Sequence, residues 1–189
     1  MHPVRPRGSL HRPQKAGRIE MNRSIQEILV DRADLVTEMF RSVEPCWPKE
    51  GCGFVFERSD GELVVIRTEN RADLLHEKDP ERYPRGAEAW YEPNMKPWFA
   101  AVRSGSRPRL IFHSHPDAGA YFSDGDQESA VVRNDEGRIV ERHPGVWHLV
   151  ISVRAPGVVD EAALFAFDQD RGTFTERARF DARGEPQQR

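Results

Sequence analysis

The chain has 189 residues, a formal net charge of −3, 31% charged residues and 38% hydrophobic ones. That length suits one domain with tails and a sizeable core, and the nearly balanced charge argues against nucleic acid as a partner. No apolar run has bilayer length and no apolar segment marks a secretion signal, so a cytoplasmic protein with no membrane partner is expected.

In chain order, "MHPVRPRGSLHRPQKAGRIE" carries five Arg and Lys against one Glu and has no apolar periodicity. Residues 1–22 are therefore expected to be a disordered basic tail, with Met21 an alternative start. The domain is expected over 23–180, and a C-terminal tail, ending in the frayed "RGEPQQR", over 181–189. "ADLVTEMFRSV", residues 33–43, places Leu35, Met39, Phe40 and Val43 on one helical face. "CGFVFER" and "ELVVIRTE" flank the turn "SDGE" and read as a β-hairpin. Residues 69–88 are polar with two prolines and are expected to form a long surface loop.

"NMKPWFAAVRSG" predicts a short helix ended by Gly105, with Trp98 and Phe99 as core residues. "RPRLIFHSH" predicts a strand, and "SDGDQESAVVRN" a helix with Ser123 as N-cap. "VWHLVISVR" is a third strand, and "AALFAFDQDRGTFTERARF" two more around "DQDRG". The order predicts an α/β (α+β) domain in which a mixed β-sheet is flanked by helices. The two cysteines, Cys46 and Cys52, are too few for a disulfide framework and are expected to be reduced, Cys52 as a small core residue.

The strand ending in His113 and His115 carries the chemistry. Residues two apart on a strand share a face, so both imidazoles project together while Ser114 faces away, and Pro116 ends the strand. Two imidazoles at that spacing supply two corners of a metal site. Asp126, in the first turn of the following helix, is the candidate third ligand and Asp124 the next choice; Asp117 lies too close to the strand end to wrap back. Three protein ligands with a fourth position left for water describe a catalytic zinc rather than a structural one.

"HSHPDAGAYFSDGD" resembles the signature of the JAMM (MPN-plus) zinc metalloproteases of the prokaryotic JAB type: His-Ser/Thr-His-Pro, then Ser, then Asp three residues later. His113, His115, Ser123 and Asp126 match in type and spacing. The family's upstream glutamate near a Cys-Gly is matched by "PKEGCGFVF", which supplies Glu50 ahead of Cys52 and Gly53, with Glu44 a rival. "VWHLVISV" is similar to the family's strand after the metal helix. Glu57 and Arg58 depart from the pattern, standing where members often have a glycine.

The resemblance spans residues 30 to 170 and implies an MPN/JAB-like (cytidine-deaminase-like) fold. It implies Zn²⁺ held by His113, His115 and Asp126, Glu50 as general base, and Ser123 as oxyanion donor; the ordinary reading of Ser123 is a helix cap. The implied activity is hydrolysis of the amide bond after the C-terminal glycine of a ubiquitin-like or sulfur-carrier protein ending in Gly-Gly, as processing or deconjugation. E1- and E2-like proteins would accompany such a substrate, and the loop at 69–88 would wall the cleft. The alternative is a non-catalytic MPN-fold scaffold in a conjugation or defence complex. His76 is expected to be a solvated loop residue, and His143 and His148 have no motif partner.

Overall fold

The computed structural model describes residues 23–188; the expected basic tail lies outside the described residues. Two helices open the domain, α1 (Ile25–Asp31) and α2 (Ala33–Val43). The periodicity search missed α1, which is short. Its sequence signal is a capping box: Glu27 N–H donates to Ser24 Oγ, and Ser24 N–H donates to the Glu27 carboxylate. On α2, Leu35, Val36, Met39, Phe40 and Val43 are buried, the face that the spacing predicts widened by one residue.

Six strands form one sheet in the order β2-β1-β3-β6-β7-β8: β1 (Cys52–Glu57), β2 (Leu63–Thr68), β3 (Arg107–Pro116), β6 (Trp147–Ala155), β7 (Val158–Asp168) and β8 (Thr173–Asp181). β3 and β6 pair in parallel and the other neighbours are antiparallel. The crossover between β3 and β6 carries α5 (Asp124–Ala130) and a small hairpin of β4 (Val131–Arg133) and β5 (Ile139–Glu141). A helix was expected to run on through "AVVRN", but it stops at Ala130, where two β-branched valines favour extended backbone. The expected loop at 69–88 also needs correction, because α3 (Ala72–Lys78) lies within it; α4 (Lys96–Arg103) follows.

The strand alternation sorts the core onto two faces. On one, Val55, Leu110, Phe112, Leu149, Ile151 and Leu164 meet Leu29, Val36, Met39 and Phe40 of α1 and α2. On the other, Cys52, Phe54, Phe56 and Ile111 meet Tyr91 and Trp98. Trp98 packs edge-on to Phe54 and Phe56 at 5.2 and 5.5 Å between ring centroids, but Phe99 is 60% exposed and not a core residue.

Glu57 is buried at the end of β1 and paired with Arg107 and Arg109, which explains why a charged residue stands there. After β8 the chain folds back instead of fraying: Phe180 bridges Pro186, and Gln187 N–H donates to the Arg179 carbonyl at 2.8 Å. No helix among the described residues is long and apolar enough to cross a membrane.

Candidate metal centre

β3 is a central strand, hydrogen-bonded on both sides, so its side chains cannot shift register without breaking two ladders. Leu110 and Phe112 point to the helical face, and Ile111 and His113 to the other. His115 continues that second row and meets His113 Nε2 to Nε2 at 3.1 Å. Asp126 comes from the first turn of α5, with Oδ1 at 3.3 Å from His113 Nε2 and Oδ2 at 3.5 Å from His115 Nε2. All three residues are buried.

These distances test the fit of a metal. Ligand atoms bound at about 2.0–2.1 Å to a tetrahedral zinc stand about 3.3 Å apart. The two imidazole nitrogens are 3.1 Å apart, each has one Asp126 oxygen at 3.3 or 3.5 Å, and one donor atom from each residue lies within 4.8 Å of the others. The three side chains thus form a group able to hold a metal ion. Among the described residues this is the one such cluster of His, Cys, Asp and Glu. Asp117 and Asp124, the competing carboxylates, are both exposed.

The imidazoles are oriented from behind. His115 Nδ1 lies 3.1 Å from the Gly119 carbonyl, which fixes the proton on Nδ1 and leaves Nε2 bare for a cation. His113 stacks on Tyr91 with ring centroids 4.2 Å apart and planes 15° from parallel. Its Nδ1 is buried with no hydrogen-bond partner among the described residues.

Asp126 is held well below the usual carboxylate range. Burial opposes its charge, but the nearby His113 charge and hydrogen bonds from His113, His115 and Ser123 outweigh that. Burial pushes His113 down. In His115 the burial effect is outweighed by Asp126 and Glu50, and the ring is raised.

Glu50 sits just before β1, on the strand next to β3, and is 8% exposed. Burial pushes its carboxyl up to about 8, with the His115 charge pulling the other way. Gly51, the next residue, exchanges hydrogen bonds of 2.8 and 2.9 Å with Ser114, between the two histidines, which brings Glu50 near the cluster; Glu44 lies in a 3₁₀ turn, Glu44–Cys46. Glu50 is fixed through its backbone. Its N–H donates to the Ala87 carbonyl at 2.7 Å, and Asn70 Nδ2 donates to its carbonyl at 2.9 Å.

Asn70 also donates to Trp90 O and accepts from Ala72 N–H and Glu92 N–H, so one half-buried amide ties Glu50 to the segment carrying Tyr91. Sequence reading missed Asn70 and Tyr91. The one local signal was an Asn before a helix start.

Ser123 caps α5: its Oγ accepts from Asp126 N–H at 3.1 Å and donates to Asp126 Oδ2 at 2.7 Å. The same hydroxyl therefore both starts the helix and orients the carboxylate. Cys46 and Cys52 are both free, and burial pushes the Cys52 thiol up. His76 lies on α3 with Nδ1 at 2.6 Å from the Tyr83 carbonyl, His143 packs on Trp98, and His148 is buried between Phe122 and Phe174. Burial drives His148 down to about 3.

Comparison with known proteins adds the family. The family described as prokaryotic homologs of the JAB domain matches residues 32–165, which contain every residue of the site. Among curated proteins no match was found. Nine chains of solved structures match. One is the solution structure of protein DSY2949 from Desulfitobacterium hafniense, 19% identical, covering 75% of this chain and 84% of that chain with a TM-score of 0.48.

Proposed function

We propose, from the premise that this chain belongs to the family of prokaryotic homologs of the JAB domain, that it is a zinc-dependent peptidase or isopeptidase. Its substrate would be the amide bond after the C-terminal glycine of a ubiquitin-like or sulfur-carrier protein. The observation that carries this reading is the buried group of His113, His115 and Asp126, whose donor atoms lie within 4.8 Å of one another, with Glu50 joined to it through the Gly51–Ser114 hydrogen bonds. Zinc bound there would polarise the scissile carbonyl and lower the pKa of water to about 7.

The protein's own groups do the rest. Glu50 takes a proton from the attacking water and returns it to the leaving amine. Burial raises this carboxyl in the metal-free protein, a bound dication would pull it back down, and a carboxyl that ionises near neutrality can accept and donate a proton in one cycle. Ser123 offers its hydroxyl to the oxygen that gains charge as the carbonyl carbon becomes tetrahedral. For that the hydroxyl gives up its bond to Asp126 Oδ2 while its lone pair keeps the helix cap.

The rival reading is a scaffold with the same fold and no chemistry. A complete ligand set with a buried acid beside it favours catalysis, since a scaffold has no use for either. The test is full-length, zinc-loaded protein mixed with a fusion in which a ubiquitin-like protein ends in Gly-Gly before a reporter. Cleavage after the second glycine, lost with chelator and restored by zinc, is the expected result. A stoichiometric zinc protein that leaves every such fusion intact would turn the assignment to the scaffold.

A further inference from the structure

The segment between α3 and α4 presents a cation that the chemistry above leaves unused. The Arg85 guanidinium lies over the Trp90 ring, 4.1 Å from its centroid. Both side chains cover Gly125: a Cβ there would meet Trp90 Cζ3 at 2.7 Å, Arg85 Nη2 at 3.1 Å and Arg85 Nη1 at 3.3 Å. Gly125 immediately precedes Asp126, so the guanidinium lies against the residue before the carboxylate of the metal group. Glu50 experiences it as a nearby positive charge. The segment is anchored on both sides, by Glu50 N–H to Ala87 O and by Asn70 to Trp90 O.

Several arginines of this protein have carboxylate partners; Arg107 and Arg109 share Glu57, and Arg179 holds Glu161 and Glu176. Arg85 is exposed and pairs with no carboxylate among the described residues. An exposed guanidinium held over an indole is a ready receptor for a planar oxyanion. Beside it Leu75, Tyr83, Pro84 and Trp90 line a cavity of about 200 Å³, which has room for one apolar side chain. Glu92 also lines this cavity, but the cations acting on it are Arg142 and Arg71.

We propose that Arg85 is a specificity-determining residue that binds a carboxylate on the leaving-amine side of the substrate. The preferred leaving group is then an α-amino acid or a short C-terminal peptide with a free carboxylate, and not a lysine side chain of a folded protein. The inference rests on the hydrolytic reading, because Glu50 is both the group that returns the proton to the leaving amine and the residue that the Arg85 segment holds, through Ala87 O at 2.7 Å. An oxygen acceptor bound at Arg85 therefore belongs to the half of the substrate that departs.

The test uses one hexapeptide ending in Gly-Gly-Leu, made as the free acid and as the C-terminal amide. Both are titrated calorimetrically into zinc-loaded full-length wild-type protein and into Arg85→Gln, and both are assayed for release of the last residue. The acid should bind wild type about tenfold tighter or more, the value of a charge-assisted pair, with the difference appearing in KM where turnover is seen. In Arg85→Gln the acid-to-amide ratio should fall to near one. Equal binding of acid and amide by wild type, or a preference that survives in Arg85→Gln, overturns the proposal. An acid preference that depends on Arg85, with neither peptide ever cleaved, upholds the carboxylate site and sinks the hydrolytic reading instead.

Discussion

Ser114 and Gly51 exchange two hydrogen bonds across adjacent strands: Gly51 N–H donates to the Ser114 hydroxyl at 2.8 Å, and Ser114 N–H donates to the Gly51 carbonyl at 2.9 Å. The residue between the two histidines thus grips the residue after Glu50, and the metal group and the acid are joined by a short rigid link. Ser114→Ala strands the buried Gly51 N–H without its acceptor, at a cost of about 1–3 kcal/mol. Urea unfolding should show that loss, and a fall in kcat larger than any change in KM should accompany it, because Glu50 is less well placed. Unaltered kcat would show that the link is not needed for chemistry.

Removal of a ligand and removal of the acid should separate cleanly. Asp126→Ala leaves two imidazoles and should lower zinc content to a trace by elemental analysis. Glu50→Gln should keep one zinc and lose cleavage by about 10²-fold or more, the usual contribution of a positioned base. A zinc-replete Asp126→Ala protein would contradict the ligand set, and a fully active Glu50→Gln would contradict the base.

The pH dependence of stability follows from the raised Glu50 carboxyl in the metal-free protein. Its folded value, about 8, stands above the ordinary 4.5 of the unfolded chain. Below pH 4.5 the group is protonated in both states and carries no penalty. As pH rises from 4.5 to about 8 the unfolded chain releases a proton that the buried folded acid keeps, so stability falls across that window and levels off above it. Metal-free Glu50→Gln should therefore gain on wild type between pH 5 and 8, by on the order of a few kcal/mol, and match it at pH 4. Parallel melting curves for the two proteins across that range would contradict the burial effect.

Ser123→Ala removes a cap and a donor at once. The cap is worth about 1 kcal/mol, read as a shift in the urea midpoint. Loss of an oxyanion donor lowers kcat by about 10²–10³-fold, with zinc content retained. If kcat falls no more than zinc loss accounts for, Ser123 only starts the helix and orients Asp126.

Gly53 lies where β1 passes over the core, and a Cβ there would stand 2.3 Å from Phe112 Cζ and 2.6 Å from the Ile66 carbonyl oxygen. The second neighbour is backbone of the paired strand and cannot move alone. Gly53→Ala should cost more than the 1–3 kcal/mol of ordinary overpacking and show up as a protein recovered mainly in the insoluble fraction. A Gly53→Ala protein as stable as wild type would mean that β2 shifts at little cost.

The sequence by itself determined the six strands of the main sheet, though not the β4–β5 hairpin, the helical face of α2 and the grouping of His113 with His115. Each of these follows from a local period of two or of about 3.6 residues, and backbone geometry imposes such periods before any long-range contact forms. It also identified Asp126 and Glu50 as candidates through spacing and resemblance. Helix α3 inside the supposed loop, the end of α5 at Ala130 and the exposure of Phe99 were decided by tertiary structure.

So were the partners around the site: Asn70 bridging to Glu50, Tyr91 stacked on His113, Ser114 bonded to Gly51, and Arg85 lying over Gly125. These residues lie 20 to 63 positions from the groups they touch. A single chain of letters carries no signal at such separations. Only the closing of the sheet, driven by burial of its two apolar faces, brings them within hydrogen-bonding or packing distance.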